Sequence, residues 1–146
     1  MNTTYSGKGS CLCGATGIEA RKISASLGAC HCGMCRKWGG GPLLAVDCGT
    51  EVTLKGEENI SIFESSEWAE RAFCKKCGTH LFYRLKENMQ YIVPAGLLNL
   101  DADKFIFDHQ IFIDEKPLYY QFANETMTMT GAEVFAKYGP QEEKDY

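Results

Sequence analysis

Short hydrophobic runs, bounded by glycine, asparagine or aspartate, recur along this chain and seldom follow the helical period. Several are rich in β-branched and aromatic residues, as half-buried strands usually are. They predict strands at residues 14–20, 42–46, 51–54, 60–63, 71–73, 80–84, 91–94 and 105–113. The pattern therefore predicts a mainly β fold whose strands are mainly antiparallel.

Helical signals are limited to two places. Residues 131–137 predict a short C-terminal helix that stops at Gly139-Pro140, and a single turn is expected after Cys32. No repeat or linker divides the 146 residues, so we expect a single domain over 1–146. The acidic tail 139–146 is expected to be disordered.

Charge and hydropathy narrow the choice of partners. The net charge of −4 disfavours binding to nucleic acid. No apolar run approaches the roughly 20 residues of a membrane span, and residues 1–10 lack the apolar core of an export signal. We therefore expect a cytoplasmic protein without a membrane partner. Eight cysteines in a reducing compartment indicate metal or redox chemistry rather than disulfides.

The first cysteine constellation combines two pairs that lie far apart in the sequence. Cys11 and Cys13 form C-x-C, whose thiols share a face if the backbone is extended, and Cys74 and Cys77 form C-x-x-C. Gly78 permits the tight turn of a metal knuckle. Four thiolates complete a tetrahedral zinc site, which predicts a structural ion. The alternative is that one or both pairs are redox-active dithiols.

The second constellation overlaps C-x-C with C-x-x-C by sharing Cys32, so that Cys30, Cys32 and Cys35 can reach one ion. Three protein ligands and one open position are the pattern of catalytic zinc. Three thiolates make zinc a weak Lewis acid, which suits binding of a substrate thiol better than hydrolysis. Arg36, together with the adjacent Lys37, can offset the charge of a fourth thiolate.

Two neighbouring residues leave alternatives open at this second constellation. His31 should point away from the ligands in extended backbone, as a hydrogen-bonded packing residue. Cys48 is either a fourth ligand, which would make the site purely structural, or a buried free thiol. Zinc deaminases are set aside, because their H-x-E element is missing.

The motifs together resemble a known family. Residues 9–14 (Gly-Ser-Cys-Leu-Cys-Gly), 30–36 (Cys-His-Cys-Gly-Met-Cys-Arg), 73–79 (Phe-Cys-Lys-Lys-Cys-Gly-Thr) and 109–113 (His-Gln-Ile-Phe-Ile) look like the glutathione-dependent formaldehyde-activating (GFA) family, which includes centromere protein V. The resemblance runs from about Gly9 to Tyr120. It implies a β-tent fold of antiparallel sheets around zinc.

The same resemblance implies two zinc ions per chain. The structural ion would be held by Cys11, Cys13, Cys74 and Cys77, and the catalytic ion by Cys30, Cys32 and Cys35. The implied activity is that of a carbon–sulfur lyase or synthase, which condenses formaldehyde with glutathione to S-(hydroxymethyl)glutathione. The implied partners are thus a small thiol and a small aldehyde.

The sequence leaves the roles of His109 and of several aromatic residues open. The family-like position of His109 suggests a general acid or an orienting group near the second site, and the alternative is a histidine satisfied within the sheet. Aromatic residues such as Tyr119 and Tyr120 are expected in the core or in a homodimer contact. The competing function is a non-catalytic zinc-stabilised scaffold that carries a thiol or contacts another protein.

Overall fold

A computed structural model describes residues 3–138 of the chain. Within this part, eleven strands alternate with two α-helices and several short 3₁₀ turns. The elements are β1 (Thr4–Ser10), β2 (Gly17–Ser24), β3 (Ser26–Cys30), α1 (Gly33–Gly39), β4 (Leu43–Asp47), β5 (Val52–Lys55), β6 (Ile60–Phe63), β7 (Ala69–Cys74), β8 (His80–Leu85), β9 (Tyr91–Pro94), β10 (Ile106–Ile111), β11 (Met127–Met129) and α2 (Gly131–Tyr138). The mainly β fold with a short C-terminal helix is thus confirmed.

The chain forms two compact units. The first comprises the described residues up to Leu27 together with Ala45–Ile106, and the second comprises Gly28–Leu44 together with the described residues from Phe107 onward. The organisation as a single domain stays a prediction.

Two sets of antiparallel strands build the first unit. One is a three-stranded sheet of order β1-β2-β5, and the other contains the consecutive neighbours β9, β8, β7 and β6 of a larger sheet. Side chains alternate between the faces of a strand, so that in β2 the buried Ile18 and Ala20 flank the exposed Glu19. The core of this unit includes the fully buried Phe82 together with Cys11 and Cys74.

The second unit contains most of the neighbouring strands β3 and β10, together with β11, α1 and α2. β10 and β11 run parallel, whereas the pairs within β1-β2-β5 and β6–β9 are antiparallel, so the expectation of a mainly antiparallel fold is confirmed. The chain between them passes through a 3₁₀ turn at Ile113–Glu115 and a loop. This connection is long enough to bring the chain back to the end of the sheet at which β10 starts, as parallel pairing requires.

The sequence predicted β6 and β9 with their observed bounds, whereas β1, β3 and β11 were not predicted. β1 and β3 contain glycine and small or polar residues, which weaken the hydrophobic pattern. The single turn expected after Cys32 is the seven-residue helix α1. The expected tail 139–146 lies outside the described residues. Among the described helices, none is long and apolar enough to cross a membrane.

A buried ion pair ties three strands of the first unit together. Arg84 on β8 donates from Nε to Glu70 Oε2 on β7 over 2.7 Å, and from Nη1 to the hydroxyl of Tyr91 on β9 over 2.9 Å. The side chains of Arg84 and Glu70 are only 10% and 13% exposed. Removal of one partner would therefore leave a charge in a poorly solvated place.

We expect Glu70→Gln to lower the free energy of unfolding by about 3 kcal/mol, because the buried guanidinium loses its counter-charge. Urea unfolding followed by circular dichroism measures this loss. The matched control is Glu64→Gln, which removes the 75% exposed partner of Lys86 and should cost less than about 1 kcal/mol. Equal losses in the two variants would contradict the assignment of a buried, stabilising pair.

Candidate metal centres

Four thiols of the first unit converge on one point. The sulfur atoms of Cys11, Cys13, Cys74 and Cys77 all lie within 4.8 Å of one another. The distance from Cys13 Sγ is 3.6 Å to Cys11 Sγ and 3.8 Å to Cys74 Sγ. Zinc–sulfur bonds of about 2.3 Å in a tetrahedron place the sulfurs about 3.8 Å apart, whereas a disulfide bond is only about 2.05 Å long. The donor set therefore fits a closed tetrahedral zinc site.

Two hairpin turns supply these thiols. Cys11 and Cys13 lie between β1 and β2, while Cys74 ends β7 and Cys77 lies in the turn before β8. The C-x-C pair lies in a turn rather than in extended backbone, because Gly14 N donates to Cys11 O over 3.1 Å. The expected extended conformation of this pair was therefore wrong, although its two thiols do converge.

The turn after Cys74 has the form of a metal knuckle. Gly78 N donates to Cys74 O over 2.8 Å, and Gly78 adopts a φ of +80°, which glycine tolerates best. Next to it, Thr79 Oγ1 accepts a hydrogen bond from Leu12 N over 3.1 Å and lies 3.2 Å from Cys77 Sγ. Because the hydroxyl oxygen accepts from Leu12, its own proton can be donated to the sulfur. Thr79 thus links the two turns. The spacing of residues in the sequence did not indicate this role.

The crowded thiols of this cluster differ in acidity. Burial opposes ionisation of Cys11, but hydrogen bonds from Thr16 and the neighbouring thiols outweigh it and lower the pKa of Cys11 to about 5. A backbone hydrogen bond from Ala15 favours the Cys13 thiolate, yet burial and the adjacent thiols raise the pKa of Cys13 to about 11. Full ionisation of the cluster therefore needs a compensating cation, and metal binding would release protons.

Three thiols of the second unit form another cluster. The sulfurs of Cys30, Cys32 and Cys35 lie within 4.8 Å of one another. Cys30 ends β3, Cys32 caps the N-terminus of α1, and Cys35 N donates to Cys32 Sγ over 3.4 Å. Hydrogen bonds with the other two thiols, followed by burial, raise the pKa of Cys30 above its ordinary value. This cluster offers three donors, which fits zinc with one position left for another ligand.

Cys48 belongs to neither cluster in the described part of the chain. It is fully buried in the core of the first unit, where its Sγ lies 3.9 Å from the carbonyl oxygen of Val46. Burial raises the pKa of the Cys48 thiol to about 12. This placement favours the alternative of a buried free thiol over that of a fourth ligand.

His31 lies between two of the cysteines but its ring engages other partners. Its Nε2 is 2.8 Å from Gln110 Oε1, and its Nδ1 is 2.8 Å from the hydroxyl of Tyr120. Because Gln110 donates its amide to Thr126 Oγ1 over 2.8 Å, its oxygen accepts from His31 Nε2–H, and Nδ1 accepts from Tyr120. Burial lowers the pKa of His31, which keeps this ring neutral. The residue is a hydrogen-bonded packing histidine, as the sequence predicted.

Charged side chains flank the start of α1. Arg36 donates from Nε to His31 O over 2.9 Å, which fixes the guanidinium beside the cluster. Glu115 Oε1 accepts from Gly33 N over 2.9 Å. A Cβ built on Gly33 would lie 3.9 Å from both Arg36 Nη2 and Glu115 Oε1, so the two opposite charges face this glycine together. Sequence reasoning did not indicate Glu115, nor the hydrogen bonds that join Gln110 and Tyr120 to His31.

His109 lies on β10, and its Nδ1 is 2.7 Å from Asp108 Oδ1. A carboxylate accepts, so Nδ1 carries the proton and Nε2 is the nitrogen directed toward β3. The ring covers the backbone of Gly28, whose built Cβ would lie 2.1 Å from His109 Nε2. Gly28 and Cys30 are two positions apart in β3 and share one face. The imidazole therefore lies on the face of β3 toward which Cys30 projects.

Comparisons with known proteins identify relatives of this chain. Residues 6–115 match the sequence model of the glutathione-dependent formaldehyde-activating enzyme family. An uncharacterised lyase of Schizosaccharomyces pombe is 38% identical over 128 residues, which cover 87% of this chain and 93% of that protein. A crystal structure of a Rhodobacter sphaeroides protein is similar in fold, with a TM-score of 0.56 and 26% identity over 66% of this chain and 92% of that one. The match over most of the chain shows that this protein belongs to the glutathione-dependent formaldehyde-activating enzyme family.

Proposed function

We propose that this chain is a zinc-dependent carbon–sulfur lyase or synthase of the GFA type. In this proposal the three-cysteine cluster binds a small thiol such as glutathione for addition to formaldehyde or another small aldehyde. The family membership supports this class of reaction, as does the name of the S. pombe relative, which is an uncharacterised lyase.

The observation that carries the proposal is the difference between the two clusters. The first brings together four thiols and the second three, within the same 4.8 Å limit. Zinc, when bound by Cys30, Cys32 and Cys35, would supply one further tetrahedral position at which a thiol is stabilised as thiolate. The four-cysteine cluster has no such position, and we assign it a structural role.

Arg36 supports the binding of a negatively charged group next to the cluster. A fourth thiolate would give the metal and its ligands a formal charge of −2, which a nearby guanidinium offsets. The hydrogen bond from Arg36 Nε to the carbonyl oxygen of His31 holds the guanidinium in place. We assign Arg36 the role of stabilising the bound thiolate.

His109 is proposed to transfer the proton of the reaction. Asp108 Oδ1 accepts a hydrogen bond from His109 Nδ1 over 2.7 Å. His109 Nε2 is directed toward the face of β3 on which Gly28 and Cys30 both lie. His109 Nε2 would take the proton that the incoming thiol loses. As the carbon–sulfur bond forms, the carbonyl π electrons move to oxygen, and Nε2 returns the proton to that oxygen.

The two clusters should differ in their contribution to stability. Cys77→Ser should lower Tm by tens of degrees, because a structural zinc site contributes on the order of 10 kcal/mol to folding. Cys35→Ser should lose metal from the second cluster yet remain folded. Thermal unfolding together with metal analysis of each variant measures both effects.

Cys48→Ser is the matched control for the loss of a buried thiol. It should lower Tm modestly and leave the metal content unchanged, since Cys48 belongs to neither cluster. Equal values of Tm for Cys77→Ser and Cys35→Ser would argue against the division into a structural and a reactive site.

Thiol binding and turnover can be measured separately. With cobalt at the second cluster, glutathione should change the sulfur-to-metal charge-transfer band, and the zinc protein should speed hemithioacetal formation from formaldehyde above the spontaneous rate. Cys35→Ser should abolish both effects. Arg36→Ala should weaken thiol binding, and more strongly at low salt.

The outcomes distinguish the enzyme from the competing scaffold. A spectral change without acceleration would leave the non-catalytic thiol carrier as the better account. If no small thiol perturbs the cobalt spectrum, both thiol-binding hypotheses fail, and the second cluster is structural.

A further inference from the structure

The second unit contains a cavity of about 410 Å³, and no cysteine of the described chain lines it. Its walls come from β10, from β11 and from the chain that joins them. Gln110 and Thr128 are register partners in these two parallel strands, so their side chains share one face of the sheet. Pockets that bind small molecules usually have volumes of roughly 300–1,000 Å³. The cavity is therefore large enough for a small organic ligand.

The cavity lies on the face of β10 opposite to that of His109. His109 and Gln110 are neighbours in this strand, and their side chains project to opposite faces. His109 covers Gly28, on the face of β3 that Cys30 shares, whereas Gln110 lines the cavity and bonds to the ring of His31. A ligand in the cavity would thus occupy a place separate from the thiol position proposed at the second cluster.

Gln110 gives the cavity a buried polar group with a fixed orientation. Its side chain belongs to a residue that is only 7% exposed. Its Oε1 accepts from His31 Nε2, and its Nε2 donates to Thr126 Oγ1 over 2.8 Å. A primary amide carries two N–H groups, so the second one remains to donate to a ligand.

Two opposite charges line the same cavity without pairing with each other. Lys116 Nζ donates to the carbonyl oxygens of Tyr120 over 2.7 Å and of Pro117 over 3.1 Å, which holds the ammonium in place and leaves it a third N–H. Glu125 is an exposed residue of the wall. None of the ion pairs among the described residues includes Lys116 or Glu125. A zwitterion would satisfy both charges.

The wall also includes the apolar residues Ile113 and Phe122. They favour a ligand with an apolar side chain, because contact with them removes apolar surface from water. We propose that the cavity is a binding site for a free aliphatic α-amino acid, of the size of leucine. Its carboxylate binds Lys116 and Gln110, and its ammonium binds Glu125. This inference goes beyond the proposed function, since it concerns a second small molecule and a separate place.

The ligand class is tested by titration calorimetry and by NMR of the zinc-loaded, ¹⁵N-labelled protein. L-leucine should give a saturable heat and should shift the side-chain amide signals of Gln110. N-acetyl-L-leucine lacks the ammonium and L-leucinamide lacks the carboxylate, so each should bind roughly tenfold more weakly. Glycine, which has no apolar side chain, should also bind more weakly. Equal binding of L-leucine and N-acetyl-L-leucine would overturn the assignment of a zwitterion.

Matched variants test the residues of the cavity. Lys116→Gln and Glu125→Gln should each weaken the binding of L-leucine by about tenfold, because each removes one charge from the wall. Lys137→Gln is the control and should bind as the wild type does. Lys137 lies over the ring of Tyr138 much as Lys116 lies over that of Tyr120, at 5.3 and 5.4 Å, but does not line the cavity. Unchanged binding in Glu125→Gln would overturn the site.

Amino acids also coordinate zinc, so the metal is the competing place of binding. Cys35→Ser, which is expected to lose the metal of the second cluster and stay folded, should bind L-leucine as the wild type does. Loss of binding in this variant, together with full binding in Lys116→Gln, would overturn the inference and place the ligand at the metal. The absence of any saturable heat with L-leucine would overturn it as well, whereas acceleration of the formaldehyde reaction would still support the proposed function.

Discussion

Two sets of cysteine sulfurs, each held within 4.8 Å of one another, impose the constraint on which the rest of this structure depends. Thiolates at such distances repel one another, and burial makes their ionisation harder still. A divalent cation would remove this repulsion, so folding of the clusters would be coupled to metal binding. In the first unit, the four sulfurs come from the turns of the hairpins β1–β2 and β7–β8, which belong to two different sheets. A metal ion there would tie the two sheets together at their turns.

The second cluster depends on a different kind of support. Its three cysteines lie within six residues of sequence, at the end of β3 and the start of α1. Residues from the C-terminal part of the same unit fix the segment around them: Gln110 and Tyr120 hold the ring of His31, and Glu115 holds the backbone of Gly33. These hydrogen bonds would keep the segment oriented even without a metal ion. This difference in support is consistent with a structural first site and a reactive second one.

The sequence predicted both clusters because cysteines at spacings of two and three residues carry a local signal. It could not indicate the contacts of Thr79, Gln110 or Tyr120, because their partners lie 67, 79 and 89 residues away in the chain. The expectation of an extended backbone at Cys11 and Cys13 was wrong for a related reason. β1 has glycines and polar residues in place of an apolar pattern, so the hairpin that requires a turn at this pair was not predicted.

The central claim is that one cluster offers four sulfur ligands to zinc and the other only three. X-ray absorption at the zinc edge, on protein loaded with two zinc ions per chain, measures the mean number of sulfur ligands directly. The account predicts about 3.5 sulfurs per zinc at bond lengths of about 2.3 Å, rising toward 4 when glutathione is added. A mean of 4 sulfurs before any thiol is added, unchanged by glutathione, would contradict it.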